Sequence, residues 1–187
     1  MKFLETAIPG AFLVSTEPKA DERGFFARTF CRDEFSARGL VADFMQHSVA
    51  LNRATATLRG MHYQAEPHEE TKLVRCLRGS IFDVVVDLRH GSPTRGRWQS
   101  FVLAEDTLDS VYIPKGCAHG YLTLSANCLV EYLIDTPYAA GAATGIRYDD
   151  PQLDIAWPQE PAVISTRDLG YAPLSPFEQR KPDTNHE

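Results

Sequence analysis

The sequence predicts an all-β domain in which many short strands form a sandwich, jelly roll or barrel. Short β-type runs alternate with Gly, Pro, Asn and Asp along the chain. No segment keeps the 3.6-residue apolar period of a helix over several turns. The 187 residues, 43% of them hydrophobic, suffice for one domain with a buried core. We expect that domain to span residues 1–177, followed by a polar tail over 178–187.

The strands follow from the apolar and β-branched runs and from the turn residues that bound them. One short helix is expected over residues 33–38, capped by Asp33 and ended by Gly39. Residues 81–88 (IFDVVVDL) are almost continuously apolar and predict a central strand. Within it, Asp83 either faces water or pairs with a Lys or Arg in a pocket. The expected strands are residues 11–16, 25–30, 44–51, 58–64, 73–77, 81–88, 98–103, 111–113, 121–124 and 129–134.

Charge and cysteine content narrow the classes of function. The 19 Lys and Arg against 25 Asp and Glu give a net charge of −6, which argues against partners such as nucleic acid or an anionic membrane surface. No apolar run approaches the ~20 residues of a membrane span, and Glu5, Pro9 and Gly10 interrupt the N-terminal run, so no signal peptide is expected. The four cysteines form no C-x-x-C pair and predict free thiols in the cytoplasm.

Residues 58–64 (LRGMHYQ) form the first candidate segment for chemistry. Strict strand alternation would send Arg59 and His62 to opposite faces. A bulge at Gly60 would bring both side chains to one face. The sequence leaves both arrangements open, and only the bulge would build a polar site from this segment.

The second candidate segment is Pro114 to His119, which fits the P-x-G-x-x-H signature of cupins. The first cupin signature supplies H-x-H, but here it is His62-Tyr63-Gln64, so one expected metal ligand is a glutamine. A zinc or iron site needs three or more well-placed His or carboxylate ligands. We therefore expect a cupin-type double-stranded β-helix (jelly roll) with short flanking helices and no metal.

Without a metal, the cavity needs another way to polarise a substrate. His62 can abstract a proton, Lys72 can stabilise an enolate oxygen, and Tyr132 can return a proton from the other side. Asp168 can orient His62 through a hydrogen bond to its second nitrogen. These four residues are the predicted catalytic set.

Seven motifs in order, from about residue 8 to residue 168, resemble the dTDP-4-dehydrorhamnose 3,5-epimerase family. They are DERGFF (21–26), TLRGMHYQ (57–64), KLVR (72–75), FDVVVD (82–87), IPKGCAHG (113–120), GIRYDDP (145–151) and STRD (165–168). The resemblance implies a homodimeric jelly roll without metal or other cofactor. It implies inversion of C3 and C5 in a nucleotide-linked 4-keto-6-deoxy sugar.

The resemblance also implies roles for individual residues. His62 is the base, Asp168 its partner, Tyr132 the acid, and Lys72 the group that stabilises the enolate at O4. The implied substrate contacts are Arg23 and Arg59 at the diphosphate, Tyr138 stacked on the base, His119 and Gln46 at sugar or nucleotide, the basic Arg167, and Phe26 in the pocket wall.

Three positions depart from the family pattern. Arg28 stands where the family commonly has Glu, Ala143 where an acidic nucleotide contact is common, and Ser48 where Asn is common. All three concern ligand handling and leave the exact nucleotide sugar open. The alternative functions are an epimerase of C3 or C5 alone, a non-catalytic nucleotide-sugar-binding cupin, and a metal-dependent cupin oxygenase, which Gln64 disfavours.

Overall fold

The computed structural model describes residues 1–174, which form fourteen strands and two short helices. The end of the expected domain at residue 177 and the tail over 178–187 lie outside the described residues. The elements in chain order are β1 (Lys2–Glu5), β2 (Phe12–Ser15), β3 (Lys19–Asp21), β4 (Gly24–Phe26), α1 (Arg32–Ser36), β5 (Gln46–Asn52), β6 (Thr57–Gln64), β7 (Lys72–Arg78), β8 (Ser80–Asp87), β9 (Trp98–Ala104), β10 (Ser110–Ile113), β11 (Cys117–Thr123), β12 (Cys128–Ile134), β13 (Ala143–Gly145), β14 (Val163–Ile164) and α2 (Thr166–Leu169).

Two sheets make up the jelly roll. The first has the strand order β1-β2-β10-β7-β12-β5, and the second has the order β13-β6-β11-β8-β9, with β14 parallel to β6. The strands β3 and β4 form a separate hairpin. The main core lies between the sheets, because Val74 and Val130 of the first pack with Ile81 and Val85 of the second. The predicted all-β jelly roll is confirmed.

The helix α1 begins one residue before the predicted helix and ends two residues before its predicted end, and it lacks the predicted cap. Its N-cap residue is Cys31, which makes no side-chain capping bond, and Asp33 lies inside the first turn. The helix is held by burial of Phe35, whose ring meets Phe3 at 5.0 Å and Phe30 at 4.9 Å. Tertiary packing therefore sets this helix, and the prediction of Asp33 as cap is wrong.

The predicted strand over residues 25–30 is also wrong in extent. Only Gly24–Phe26 is extended, and it pairs with β3 rather than entering either sheet. Phe25 and Phe26 are 60% and 74% exposed, so the apolar run does not mark a core strand. The elements that the sequence did not predict (β1, β3, β13, β14 and α2) span two to four residues each, too few for a periodic pattern.

Asp83 is fully buried on β8, and its partner is His119, whose Nε2 lies 2.7 Å from Asp83 Oδ2. Both predicted surroundings of Asp83, a water-exposed face and a Lys or Arg partner, are therefore wrong. The register explains the pairing, since β8 and β11 are adjacent antiparallel strands. A buried carboxylate needs a hydrogen-bond donor, and here the adjacent strand β11 provides it through His119.

The cysteines agree with the expectation of free thiols. All four cysteines are free, and Cys76, Cys117 and Cys128 are buried. Burial raises the pKa of Cys76 and of Cys117 to about 12, so both thiols stay protonated at neutral pH. Within residues 1–174, no helix is long and apolar enough to cross a membrane.

Candidate active site

A close contact between two glycines shapes the strand that carries His62. Gly60 has φ +140°, and a Cβ there would lie 2.5 Å from the Cα of Gly120. The pairing of β6 with β11 shifts register just beyond His119. The predicted irregularity at Gly60 is present, and Arg59 and His62 line the same cavity. Only glycine allows these two backbones to approach so closely.

That cavity has a volume of about 320 Å³ and lies between the two sheets. It brings together many predicted residues that are distant in the sequence. The predicted residues that line it are Ser48, Arg59, His62, Lys72, His119, Tyr132, Tyr138 and Arg167, together with the departure position Ala143.

Asp168 lies behind His62. It is 3% exposed on α2, a helix that Ser165 caps by accepting the Asp168 N–H. Asp168 Oδ1 is 2.8 Å from His62 Nε2, and Oδ2 accepts the Gly60 N–H at 3.1 Å. Burial raises the pKa of Asp168, but the bonds from His62 and Gly60 lower it further, so it lies below its ordinary value.

The ionised Asp168 fixes the state of His62. A carboxylate only accepts hydrogen bonds, so the proton of a neutral imidazole resides on Nε2. The lone pair is then on Nδ1, which is free to take a proton from a ligand. The imidazole is 38% exposed, so the cavity has access to it. The pair therefore has the geometry that a general base needs.

Lys72 places a cation beside this base. The side chain is 8% exposed, and its Nζ donates to the carbonyl of His62 at 3.4 Å and pairs with Glu70 at 2.8 Å. An ammonium group has three N–H donors. One donor therefore remains for an oxygen of a bound ligand, next to the imidazole that would generate negative charge on it.

Tyr132 occupies the opposite wall. It belongs to β12 of the first sheet, whereas His62 belongs to β6 of the second. Burial, with smaller contributions from Tyr121 and Asp83, raises the pKa of Tyr132 well above its ordinary value. Its hydroxyl therefore carries a proton at neutral pH and can act as a donor.

His119 and Asp83 form a second pair, buried beside Tyr132. The rings of His119 and Tyr132 are 6.0 Å apart. His119 is 3% exposed, and Asp83 Oδ1 has no hydrogen-bond partner within the described part of the chain. The pair borders the cavity but offers it little imidazole surface.

Gln64 stands where metal cupins would place a ligand, and its amide is fully engaged. Its Nε2 donates to the carbonyls of His68 and Pro137, and its Oε1 accepts the N–H of Ala139 at 2.7 Å. Gln64 therefore fastens the loop that presents Tyr138 to the cavity. Over residues 1–174, no group of three or more His, Cys, Asp or Glu could hold a metal ion. Independence from metal stays a prediction.

Four predicted ligand residues lie away from this cavity. Arg23 is paired with Asp21 on the hairpin, and Phe26 and Arg28 line a separate cleft. Gln46 begins β5 opposite Ile134. Their roles as ligand contacts stay predictions.

Several residues of the site were not predicted from the sequence. Glu70 pairs with Lys72, Asn52 accepts Arg59 Nε at 2.8 Å, and the Tyr171 ring lies 5.9 Å from that of His62. A carboxylate two residues before Lys72 is a signal that could have identified Glu70. Asn52 and Tyr171 leave no local signal, because strand pairing and the C-terminal return bring them close.

The arrangement matches known proteins along almost the whole described chain. The model of the family described as dTDP-4-dehydrorhamnose 3,5-epimerase matches residues 5–175. A dTDP-4-dehydrorhamnose 3,5-epimerase of Methanothermobacter thermautotrophicus is 39% identical over 176 residues, 92% of this chain and 94% of that protein.

Solved structures agree. The dTDP-4-dehydrorhamnose 3,5-epimerase of Bacillus anthracis with TDP and PPi bound has a TM-score of 0.89 at 34% identity, covering 92% of this chain and 99% of that one. The dTDP-6-deoxy-D-glucose-3,5-epimerase of Legionella pneumophila in complex with dTDP-4-keto-L-rhamnose has a TM-score of 0.87 at 34% identity, covering 92% of each. The chain therefore belongs to the dTDP-4-dehydrorhamnose 3,5-epimerase family and is an isomerase.

Proposed function

We propose that His62, Lys72, Tyr132 and Asp168 carry out the 3,5-epimerisation of a nucleotide-linked 4-keto-6-deoxy sugar in this enzyme. Nδ1 of His62 takes the proton from a carbon next to the ketone. The electron pair of that C–H bond moves onto O4, and the remaining donor of Lys72 stabilises the enolate. Tyr132 then gives its proton to the other face of the same carbon, which inverts it.

The observation that carries this proposal is the position of His62 and Tyr132 on facing sheets. A planar enolate between the two walls presents one face to the imidazole and the other to the phenol. Inversion needs this arrangement, because a single group acting on one face would return the proton where it came from. The TDP and dTDP-sugar complexes of the two relatives support a sugar attached to a nucleoside diphosphate as the substrate.

The proposal is tested by incubation with dTDP-4-keto-6-deoxyglucose in D₂O, with deuterium and configuration read by NMR. We expect deuterium and inversion at both C3 and C5. Deuterium and inversion at one carbon only would make the chain a single-site epimerase. A chain that binds the sugar nucleotide without exchange would contradict the catalytic set.

Metal independence has its own test. After exhaustive chelation and metal analysis, we expect turnover to be unchanged, because Lys72 supplies the positive charge near O4. Loss of activity that zinc or iron restores would contradict this part of the proposal.

We further propose that the enzyme is a homodimer in which the hairpin of one copy serves the cavity of the other. Two observations support this. The hairpin carries Arg23 and the exposed Phe26 away from the cavity of its own chain. The edge strand β5 exposes Val49 and Leu51 by 63% and 41%, and unpaired apolar edges are typical contact surfaces.

Mixed dimers distinguish this arrangement. His62→Ala and Arg23→Ala copies, each inactive alone, are mixed and allowed to exchange subunits. If Arg23 acts across the interface, one site in each mixed dimer is intact, and activity recovers to about a quarter of wild type. No recovery in a mixture shown to contain mixed dimers would place Arg23 in its own site or in none.

The cytoplasm is the proposed location. The free state of all four cysteines supports a reducing compartment.

A further inference from the structure

Behind Tyr132, a chain of polar side chains runs into the core between the sheets. Tyr121 on β11 is fully buried, and its hydroxyl donates to Asn52 Oδ1 at 3.2 Å. The same oxygen accepts Arg59 Nε at 2.8 Å. A fully buried tyrosine hydroxyl next to the catalytic set has no part in the mechanism derived so far.

The orientation of Asn52 follows from its neighbours. Arg59 can only donate, so the amide oxygen of Asn52 must face it. The amide nitrogen then donates to the carbonyls of Ala50 and Cys128, at 3.3 and 3.4 Å. Because Asn52 Oδ1 only accepts, Tyr121 must use its single proton there.

Because the Tyr121 proton is directed to Asn52, the Tyr121 oxygen can only accept a hydrogen bond from Tyr132. A hydrogen bond between the two phenols contributes a lowering of the pKa of Tyr121 and a rise in the pKa of Tyr132, the directions expected when Tyr132 is the donor. Both rings also pack on His119, at 6.3 Å for Tyr121 and 6.0 Å for Tyr132. In the resting enzyme the Tyr121 oxygen is therefore an acceptor for the hydroxyl of Tyr132.

We propose that Tyr121 is a positioning residue that holds the Tyr132 hydroxyl before proton transfer and donates to the Tyr132 oxygen afterwards. The inference rests on the proposed role of Tyr132 as the acid. In this role Tyr121 stabilises the anion that remains on the buried Tyr132 oxygen after proton transfer. Burial of Tyr121 alone would not require this role.

The bonds balance as follows. The O–H bond of Tyr132 breaks, a C–H bond forms on the sugar, and the electron pair stays on the Tyr132 oxygen. The Tyr121 O–H keeps its covalent bond and rotates from Asn52 Oδ1 to the new phenolate. Asn52 Oδ1 retains its bond from Arg59, so no buried acceptor is left without a donor.

A double-mutant cycle tests the inference, using Tyr121→Phe, Tyr132→Phe and the double variant. A hydrogen bond to a charged group is typically worth a factor of roughly ten to a hundred. We expect Tyr121→Phe to lower kcat for inversion by about that factor, leaving KM and His62-dependent deuterium exchange unchanged. In the Tyr132→Phe background, Tyr121→Phe should have no further effect.

Tyr112→Phe is the matched control. Tyr112 is 4% exposed and its hydroxyl accepts the N–H of Val41, away from the cavity. This variant measures the cost of removing a buried, hydrogen-bonded phenol hydroxyl elsewhere in the protein, and it should leave kcat unchanged.

A second variant keeps the inference testable if Tyr121→Phe does not fold. Asn52→Asp places an anion that holds the Tyr121 proton more strongly, so inversion should slow while exchange persists. Normal inversion in folded Tyr121→Phe, or an equal effect in both backgrounds, would overturn the inference alone. Normal inversion in Tyr132→Phe would instead overturn the proposed acid.

Discussion

The molecule contains two His–Asp pairs that look alike in distance and differ in surroundings. His62 and Asp168 are 2.8 Å apart, and His119 and Asp83 are 2.7 Å apart. The two histidines even face each other as register partners in β6 and β11. Yet the His62 side chain is 38% exposed and the His119 side chain 3%.

The difference shows that pair geometry alone does not make a base. Asp168 satisfies its second oxygen with the Gly60 N–H, which keeps it ionised and His62 Nδ1 available. Asp83 Oδ1 has no such partner among residues 1–174, and its histidine is closed off from solvent. We infer that His62 and Asp168 transfer protons. His119 and Asp83 instead stabilise the part of the cavity wall that contains Tyr132.

The largest expected effect comes from His62→Ala. Removing a general base costs about 10²–10⁴-fold in rate or more, so we expect turnover to be abolished while the circular dichroism spectrum and the thermal transition stay normal. The assay is inversion and deuterium exchange on the purified variant. Near-normal turnover in the folded protein would remove His62 from the catalytic set.

His119→Ala should act on stability instead. It leaves Asp83 Oδ2 buried without its hydrogen bond to His119, and an unsatisfied buried acceptor costs about 1–3 kcal/mol. We expect a marked fall in the denaturant midpoint, which His62→Ala should not show. If His119→Ala and His62→Ala were equally stable, the difference in burial would not give the two pairs different contributions to stability.

Asp168→Asn should be slower than wild type, because the imidazole loses its orienting anion, and it should also change the response to acid. The folded pKa of Asp168 lies below its ordinary value, so its contribution to stability is complete above about pH 4 and is lost as pH falls through the folded pKa. The variant should therefore lose less stability than wild type in that range. Parallel unfolding curves at pH 6 and pH 3 measure the difference.

The smallest expected effect lies far from both pairs, at Arg28. It is exposed, with Nη1 4.0 Å from Cys31 Sγ, and it stands where the resemblance implies an acidic residue. We expect weaker preference for thymidine than in a typical family member, and Arg28→Glu should sharpen preference for dTDP by about 0.5–1.5 kcal/mol. Dissociation constants for dTDP, UDP, CDP and GDP measure this. A strong dTDP preference that the substitution does not change would exclude Arg28 from the nucleotide site.

The long strands were predictable because they carry their own signal. Observed β8 begins one residue before its predicted start and ends one before its predicted end, since a continuous apolar run marks a central strand. The short β13 and β14 form only because the edges of β6 accept them, at Gln64 and at Thr57. Such recruitment depends on distant residues and leaves no periodic pattern.

The two His–Asp pairs also depend on contacts between residues that are distant in the sequence. His62 and Asp168 are 106 residues apart. The chemistry of the two side chains and the family resemblance both predict the pair, but no local sequence pattern shows that they are close. For Asp83 the sequence predicts either exposure to water or a Lys or Arg partner, and the resemblance assigns His119 to the ligand. Adjacent central strands brought the two together, and strand order in a sheet is not encoded in either strand alone.

The contact between Gly60 and Gly120 has a consequence for how this enzyme can diversify. A side chain at Gly120 would meet Met61 Sδ at 2.6 Å and the Arg59 carbonyl at 2.9 Å. The backbone that aims the base is thus closed to mutational exploration. The rim positions Ser48 and Ala143 lie on the edge strands β5 and β13, where change meets little resistance. We therefore expect changes of substrate to arise at positions such as Ser48 and Ala143, and the contact between Gly60 and Gly120 to stay unchanged.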